Sequence, residues 1–499
     1  MYLGLDIGST SLKAAAFDAQ SGRLCGRSEE ALPLAVDAGG RREQDPAALL
    51  EAVCRAFRSL REQTGSRWAH VCGIGLAAQG GSSIVVDRHT GEPATPMILW
   101  NDTRAFGHFH QILTRIPPRW WRSFSLRAEP GMGLARLQWL LEQHPDLLHG
   151  DRLWVGAGEF ICFALTGIWR QDPCHALQSG CYDAQKNRIT LQPMQRLELP
   201  SDWVAPLRPG HQTLPLAPRL ADRLQLSAGT PVAGPYNDHE AGYLSVQHLS
   251  TRPLEVSLGT AWVGNFVLPE EARGGAPFQF CIPAPGGSGK QVILPLLTGN
   301  VTLDWALATF VHYDRASALA QADGILAHSL LPPPGLMALP WLNRPNALCP
   351  GRTGCAALFG LGPATTAEDM FRAVVSAMVL EFARVFEAVR KRGAVDSLVL
   401  CGGAAKNPHL CSLFAALFDP VPVHRVLEAD LMGARGCLYP FDPEIAWAHA
   451  VPVSCDRGID PRLLAAAQTL YQDLFERLCG QVAAGKPYAF YREYENEPA

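Results

Sequence analysis

The 499 residues are enough for two or three domains, and with 47% hydrophobic and 18% charged residues the chain can bury sizeable cores, which excludes a disordered polymer. A formal net charge of −4 gives no electrostatic reason to expect nucleic acid or an anionic membrane as partner, and small-molecule chemistry is the natural alternative. The 14 cysteines stand without a Cys-x-x-Cys pair, no basic leader opens the chain, and no apolar run approaches the ~20 residues of a bilayer span, so a cytoplasmic protein with reduced thiols is expected.

The first segment, "MYLGLDIGSTSLKAAAFDAQSGRL", reads as a β-hairpin bent at Gly8-Ser9-Thr10-Ser11, with a second turn at Ser21-Gly22. A helix should start at Asp45-Pro46, a cap followed by proline, with Leu49, Leu50, Val53, Phe57 and Leu60 on one face. "VCGIGLAAQ" and "SSIVVD" are the next strands, and "GEPATPMILWND" leads into a loop. Strands alternating with helices predict α/β layers.

Mid-chain, the apolar "TPVAG" runs into Gly234-Pro235-Tyr236-Asn237-Asp238-His239-Glu240-Ala241-Gly242. Two carboxylates and a histidine between glycines suit either a surface turn or a catalytic base beside a polar ligand. Shortly afterwards "LEVSLGTAWVGNFVL" repeats the opening pattern of strand, glycine turn and strand. Leu258-Gly259-Thr260 falls on Ile7-Gly8-Ser9, with Ser257 where Asp6 stands, which divides the chain into halves at residues 1–245 and 246–499. "GGSGK" (286–290) imitates a phosphate loop, but Ala284 and Gln291 occupy two of its key positions, so a hairpin turn is expected. Proline-rich 330–340 reads as a surface connection or irregular edge. Thr366 with Asp369 caps a long helix whose apolar stripe includes Phe371, Val374, Met378, Phe382 and Phe386, and Gly393 should end it. "SLVLCGGAAKNPHLCSLFAAL" follows as strand, glycine turn and helix.

Three glycine turns therefore follow apolar strands: Gly8-Ser9-Thr10, Gly259-Thr260 and Gly402-Gly403. Glycine lets backbone amides approach phosphate oxygens, and hydroxyl neighbours add donors. One such turn is a weak signal. Three, with an acid in the first, are a strong one.

With "GLDIGSTSLKAAAFD", "PMILWNDTRA", "GPYNDHEAGYLS", "EVSLGTAW", "LTGNVTLDWAL", "LCGGAAKNP" and "EADLMGARGCLY" in this order, the chain resembles the FGGY family of carbohydrate kinases. The correspondence runs almost end to end, nearest to the xylulose (pentulose) kinases through Trp100-Asn101-Asp102-x-Arg104. The resemblance implies an α/β fold of two actin-like (ribonuclease H-like) ATPase domains around a cleft. It implies an ATP-dependent kinase using Mg2+, with a small-molecule sugar bound by the first half and nucleotide by the second, and it is compatible with a homodimer. Asp238 falls on the family's catalytic base and Asp6 on the acid that orients the metal. Gly8, Ser9, Thr10 and Lys13 would lie by the transferring phosphoryl group, and Gly259, Thr260, Gly299, Gly403, Ala404 and Asn407 on the nucleotide side. Gln79, Trp100, Asn101, Asp102, Arg104 and His239 would face the sugar, although Asp102 and Arg104 could equally bond each other.

Departures from the family pattern bear on substrate choice. Gly80-Gly81 replaces a Met-His pair, which is expected to enlarge the sugar space; Tyr236, His239 or Glu240 would then contact a different sugar. Ala404 replaces a customary glycine and Ser412 a frequent glutamine, altering the adenine side. These changes leave a second reading open, a nucleotide-binding module of the actin/chaperone type or a catalytically silent relative.

Overall fold

The computed structural model describes residues 1–259, 261–270, 280–295, 299–312, 314–342, 356–390, 395–455 and 459–483. In the first half, β1 (Tyr2–Ile7) pairs antiparallel with β2 (Ser11–Phe17), the expected hairpin, and β2 with β3 (Leu24–Ala31). On its other edge β1 runs parallel to β4 (Gly73–Ala78), which runs parallel to β5 (Pro231–Asn237). Helix α1 (Pro46–Thr64) starts where the Asp45-Pro46 cap places it, with the Asp45 carboxylate accepting from the Ala47 amide and Leu49, Val53, Phe57 and Leu60 buried.

The second half repeats this order. There, β6 (Pro253–Leu258) pairs antiparallel with β7 (Trp262–Leu268) and parallel with β10 (Ser397–Cys401), which is parallel to β11 (Val423–Val426). Two further strands extend its edge, β8 (Phe280–Pro283) and β9 (Lys290–Pro295), joined antiparallel through the "GGSGK" turn. The faint repeat in the letters is thus a duplicated sheet topology. Parallel neighbours need both faces covered. Helix α3 (Ala367–Arg390) buries its stripe, Phe371, Val374, Met378, Phe382 and Phe386, in the second core. Gly393, its expected stop, and Thr260 lie outside the described residues. Of the two readings of 330–340 the surface connection falls: Leu330, Leu331 and Leu336 are buried, and Met337–Leu339 pairs with Ala357–Phe359. Its leucines outweigh its prolines.

The halves are joined by helices that cross between them. Helix α2 (Asp238–Val246) follows β5, and α5 (Met432–Gly436) comes after β11. A side chain at Gly436 would overlap the Ala241 carbonyl oxygen, so these helices touch backbone to backbone. Helix α5 then lies on the first sheet at Gly4 and Gly75, where a Cβ would run into the main chain of Ala434 and Cys437. A third, five-stranded sheet that the sequence did not announce includes Ser83–Asp87 and Arg152–Gly156 and carries the loop with Trp100. Among the described residues no helix is long and apolar enough to cross a membrane.

Candidate active site

Register places the first-half chemistry at one edge. Ile7 pairs with Ala78 and Ala78 with Asn237, so Gly8, Gln79 and Asp238 all emerge where three adjacent parallel strands end. Ligands of open α/β sheets bind at such carboxyl ends. Asp6 sits one residue before that edge, opposite Lys13 in the hairpin and against Gly433 of α5, where any Cβ would strike its carboxylate. Burial, and next the negative charge of Asp238, push the Asp6 carboxyl up to about 7, against the pull of Lys13 and His239. Acids from positions 6 and 238 therefore share one electrostatic environment. A carboxyl raised by a neighbouring negative charge is one from which a divalent cation can displace the proton.

The glycine loop is held from below. Gln79 donates to the Gly8 carbonyl (3.2 Å) and Gln44 to the Ser9 carbonyl (2.7 Å). In a trans peptide C=O and N–H point opposite ways, so the Ser9 and Thr10 amides are turned away from the glutamines. They form a donor pair of the kind anions use. Gln79, expected on the sugar, is buried in this support, with its Oε1 accepting from the Ser82 hydroxyl (3.0 Å).

On the second half, three motifs converge on Asn300, which the sequence reading missed beside Gly299. Asn300 donates from its backbone to the Gly259 carbonyl (3.1 Å) and from its side chain to the Leu258 carbonyl (3.3 Å). Gly402, at φ +86°, folds its turn so closely onto Leu258 that a Cβ would lie 2.8 Å from main chain, and Gly403 faces the Asn300 amide. Ala404 is buried in the core and Asn407 is occupied, capping α4 (Pro408–Phe418) through the Leu410 amide and bonding Asp323 (2.8 Å).

The sugar-side expectations divide. Trp100 is 42% exposed, a ring free to cover a ligand, and the neighbouring Asn101 keeps a buried oxygen without a partner. For Asp102 and Arg104 the mutual bond is the one present: Asp102 is buried, Arg104 bonds it at 2.7 Å and Glu43 at 2.6 Å, and the Arg42 amide donates to it. The pair holds the loop's shape. His239 turns its ring to Asn265 of β7 (3.3 Å), whose amide donates to the buried Glu255 (2.5 Å), so it fastens α2 to the second sheet. Tyr236 and Glu240 are likewise committed to partners within the protein, Tyr236 through its hydroxyl to His211 (2.6 Å). Glu240 pairs with Arg208 at 2.7 Å and completes the Asn237 capping box, and Arg208 lies 3.9 Å above the Tyr236 ring.

Nor is the space at Gly80-Gly81 empty. A Cβ at Gly80 would lie 2.5 Å from the Asn237 amide and 2.6 Å from that of Gln178, and one at Gly81 would overlap the Gln178 oxygen. The missing side chains make way for Gln178. Behind them Arg136, its pKa lowered to about 10 by burial, donates to the carbonyls of Gly81 (2.5 Å) and Trp100, tying both loops together. A lone charged residue in the mostly apolar "MGLARLQWLL" was the available signal.

Gln178 ends a short helix, Pro173–Gln178, that starts over a buried acid pair. The Asp172 amide donates to Glu159, and burial raises both carboxyls, with the negative charge of Glu159 raising Asp172 further. A carboxyl raised in the folded state keeps a proton that the unfolded chain, with values near 4, has already released. Its stabilising contribution is complete at acid pH and is lost as pH climbs through the folded value. Asp172→Asn, which preserves the cap on the His175 amide (2.8 Å), is expected to flatten this decline. Urea unfolding at pH 5 and 8 checks it: wild type should lose more stability over that interval, by up to ~1.4 kcal/mol per pH unit for one group. Parallel losses would refute the assignment.

Two duplicated sheets with glycine turns at matching strand ends, and two acids at one edge of the first, define the actin-like ATPase class. The comparisons narrow this. The N-terminal domain of the FGGY family of carbohydrate kinases matches residues 1–245 and its C-terminal domain residues 296–439. The chain belongs to this family and is a carbohydrate kinase. It is 26% identical to xylulose kinase of Streptomyces rubiginosus over 98% of this chain and 97% of that enzyme. Gluconokinase of Bacillus subtilis (strain 168) is 22% identical over 87% and 86%. The crystal structure of xylulose kinase from Rhodospirillum rubrum superposes with a TM-score of 0.83 at 19% identity, covering 98% of this chain and 99% of that one.

Proposed function

We propose that the chain moves the γ-phosphoryl group of MgATP to a hydroxyl of a ketose of the xylulose kind or a related polyol, with Asp238 as general base. In this reading residues 1–245 bind the sugar and 246–499 the nucleotide. The carrying observation is that Asp238 and Asp6 stand at the ends of two parallel strands that flank a third, where the charge of Asp238 helps raise the Asp6 carboxyl.

Phosphoryl transfer has a loose transition state, so positioning and neutralisation of charge supply most of the acceleration. Asp238, first residue of α2, accepts the proton of the attacking hydroxyl at hydrogen-bond distance. The turned-out Ser9 and Thr10 amides and Lys13 take up charge on the moving group. Asp6 fits a divalent cation because its carboxyl, raised beside Asp238, has a proton to exchange. When bound, Mg2+ would neutralise phosphate charge. Asn300 knits the second-half turns into one surface for nucleotide.

A coupled assay for ADP release, run over ketopentoses, aldoses, polyols and heptuloses, tests the reading. Sugar-stimulated turnover is expected for at least one neutral ketose or polyol. ATP binding by folded protein without sugar-stimulated turnover anywhere in the panel would favour a nucleotide-controlled module instead.

A further inference from the structure

We propose that Gln178 is a specificity-determining contact, and that its amide, set in the room left by Gly80-Gly81 beside Asn237 and Trp100, selects neutral polyhydroxylated substrates over sugar acids. This rests on the kinase reading above.

The geometry is built to put that amide there. Gly81 has φ +78°, a backbone conformation suited to glycine, and both glycines lie under the Gln178 amide with no room for a Cβ. From the other side Gly131 and Gly133 press on the Gln178 carbonyl and on Ser179 Cα, where a Cβ at Gly133 would lie at 3.0 and 2.7 Å. Asn237, whose side-chain amide faces Gly80 together with that of Gln178, immediately precedes Asp238. Gln178 is partly exposed, and its only side-chain bond among the described residues is a weak one from Nε2 to Cys174 Sγ (3.4 Å). Its oxygen is an acceptor and its second N–H a donor, a pair that matches two hydroxyls.

The arginines of the adjoining loops and helices are held by groups of the protein itself. Arg136 is held by two carbonyls, Arg104 by Asp102 and Glu43, and Arg127 by Glu129. A substrate carboxylate at Gln178 would meet the field of Asp238 and a neutral amide, with no guanidinium fork to receive it.

The experiment measures kcat/KM for neutral polyols and ketoses and for aldonates of equal carbon number, in wild type, Gln178→Ala, Gln178→Glu and Gln178→Arg. Wild type is expected to favour the best neutral substrate by about 100-fold or more. Gln178→Ala should lose about tenfold on it, mostly through KM for the sugar, with KM for MgATP unchanged. Gln178→Glu, close in shape and therefore a folding control, should lose at least as much, and Gln178→Arg should narrow the neutral-to-acid ratio tenfold. A folded Gln178→Ala or Gln178→Glu within twofold of wild type, or a wild type that prefers the aldonate, overturns the proposal and leaves the kinase reading intact. Absence of turnover on every compound overturns both.

Discussion

Asp238→Asn is expected to lower kcat for sugar phosphorylation by roughly 10²–10⁴-fold while leaving MgATP affinity within a few-fold of wild type. Asparagine keeps the shape and can still accept the His239 amide as Asp238 Oδ1 does (3.0 Å), so α2 should begin as before. What disappears is the ability to take a proton from a hydroxyl. A second readout is electrostatic: the neutral side chain removes one of the two main causes that raise Asp6, so the Asp6 carboxyl should titrate below its wild-type position near 7. Burial remains, and the fall will be partial. Rate measurement at saturating sugar, with carbon-13 titration of the aspartates, checks both halves. A variant with undiminished kcat would remove Asp238 from the chemistry. One that lost nucleotide binding would make the residue structural.

How much of this was legible follows the range of the interactions concerned. The β1–β2 hairpin, the Asp45-Pro46 helix start and the α3 stripe are set by turn residues and by spacing within a few positions, and the structure has them where the sequence put them. The duplicated sheet was visible only as an echo, since pairing such as β6 with β10 joins segments more than a hundred residues apart. Side-chain assignments near the sugar fared worse. Asp102, Arg104, Gln79 and Glu240 have the polar groups a substrate needs, but each is consumed by a partner distant in sequence or in its own loop. A buried polar group must be satisfied by something, and the letters do not say by what. The exchange of Gly80-Gly81 against Gln178, nearly a hundred residues on, is the same lesson in volume: a lost side chain reads as a cavity until the element that fills it is seen.

Gly436→Ala is expected to reduce kcat by about 100-fold and stability by roughly 1–3 kcal/mol, although the residue touches neither sugar nor nucleotide in any reading above. The added methyl would overlap the Ala241 carbonyl oxygen, and main chain cannot swing aside as a side-chain tip can. The helices must part. Helix α2 begins at Asp238, and α5 carries Gly433, which lies against the Asp6 carboxylate. Moving either helix changes the distance between the two acids, and a displacement near 1 Å in a site that works by positioning is costly. Gly107→Ala provides the contrast: its Cβ meets open space in a helix, where alanine is the better former, so stability should hold or rise slightly and kcat stay level. Urea unfolding and saturating kinetics on both variants separate the effects. If Gly436→Ala keeps full kcat, the crossing of α2 and α5 does not set the spacing of Asp6 and Asp238, and that spacing must be fixed within the first sheet alone.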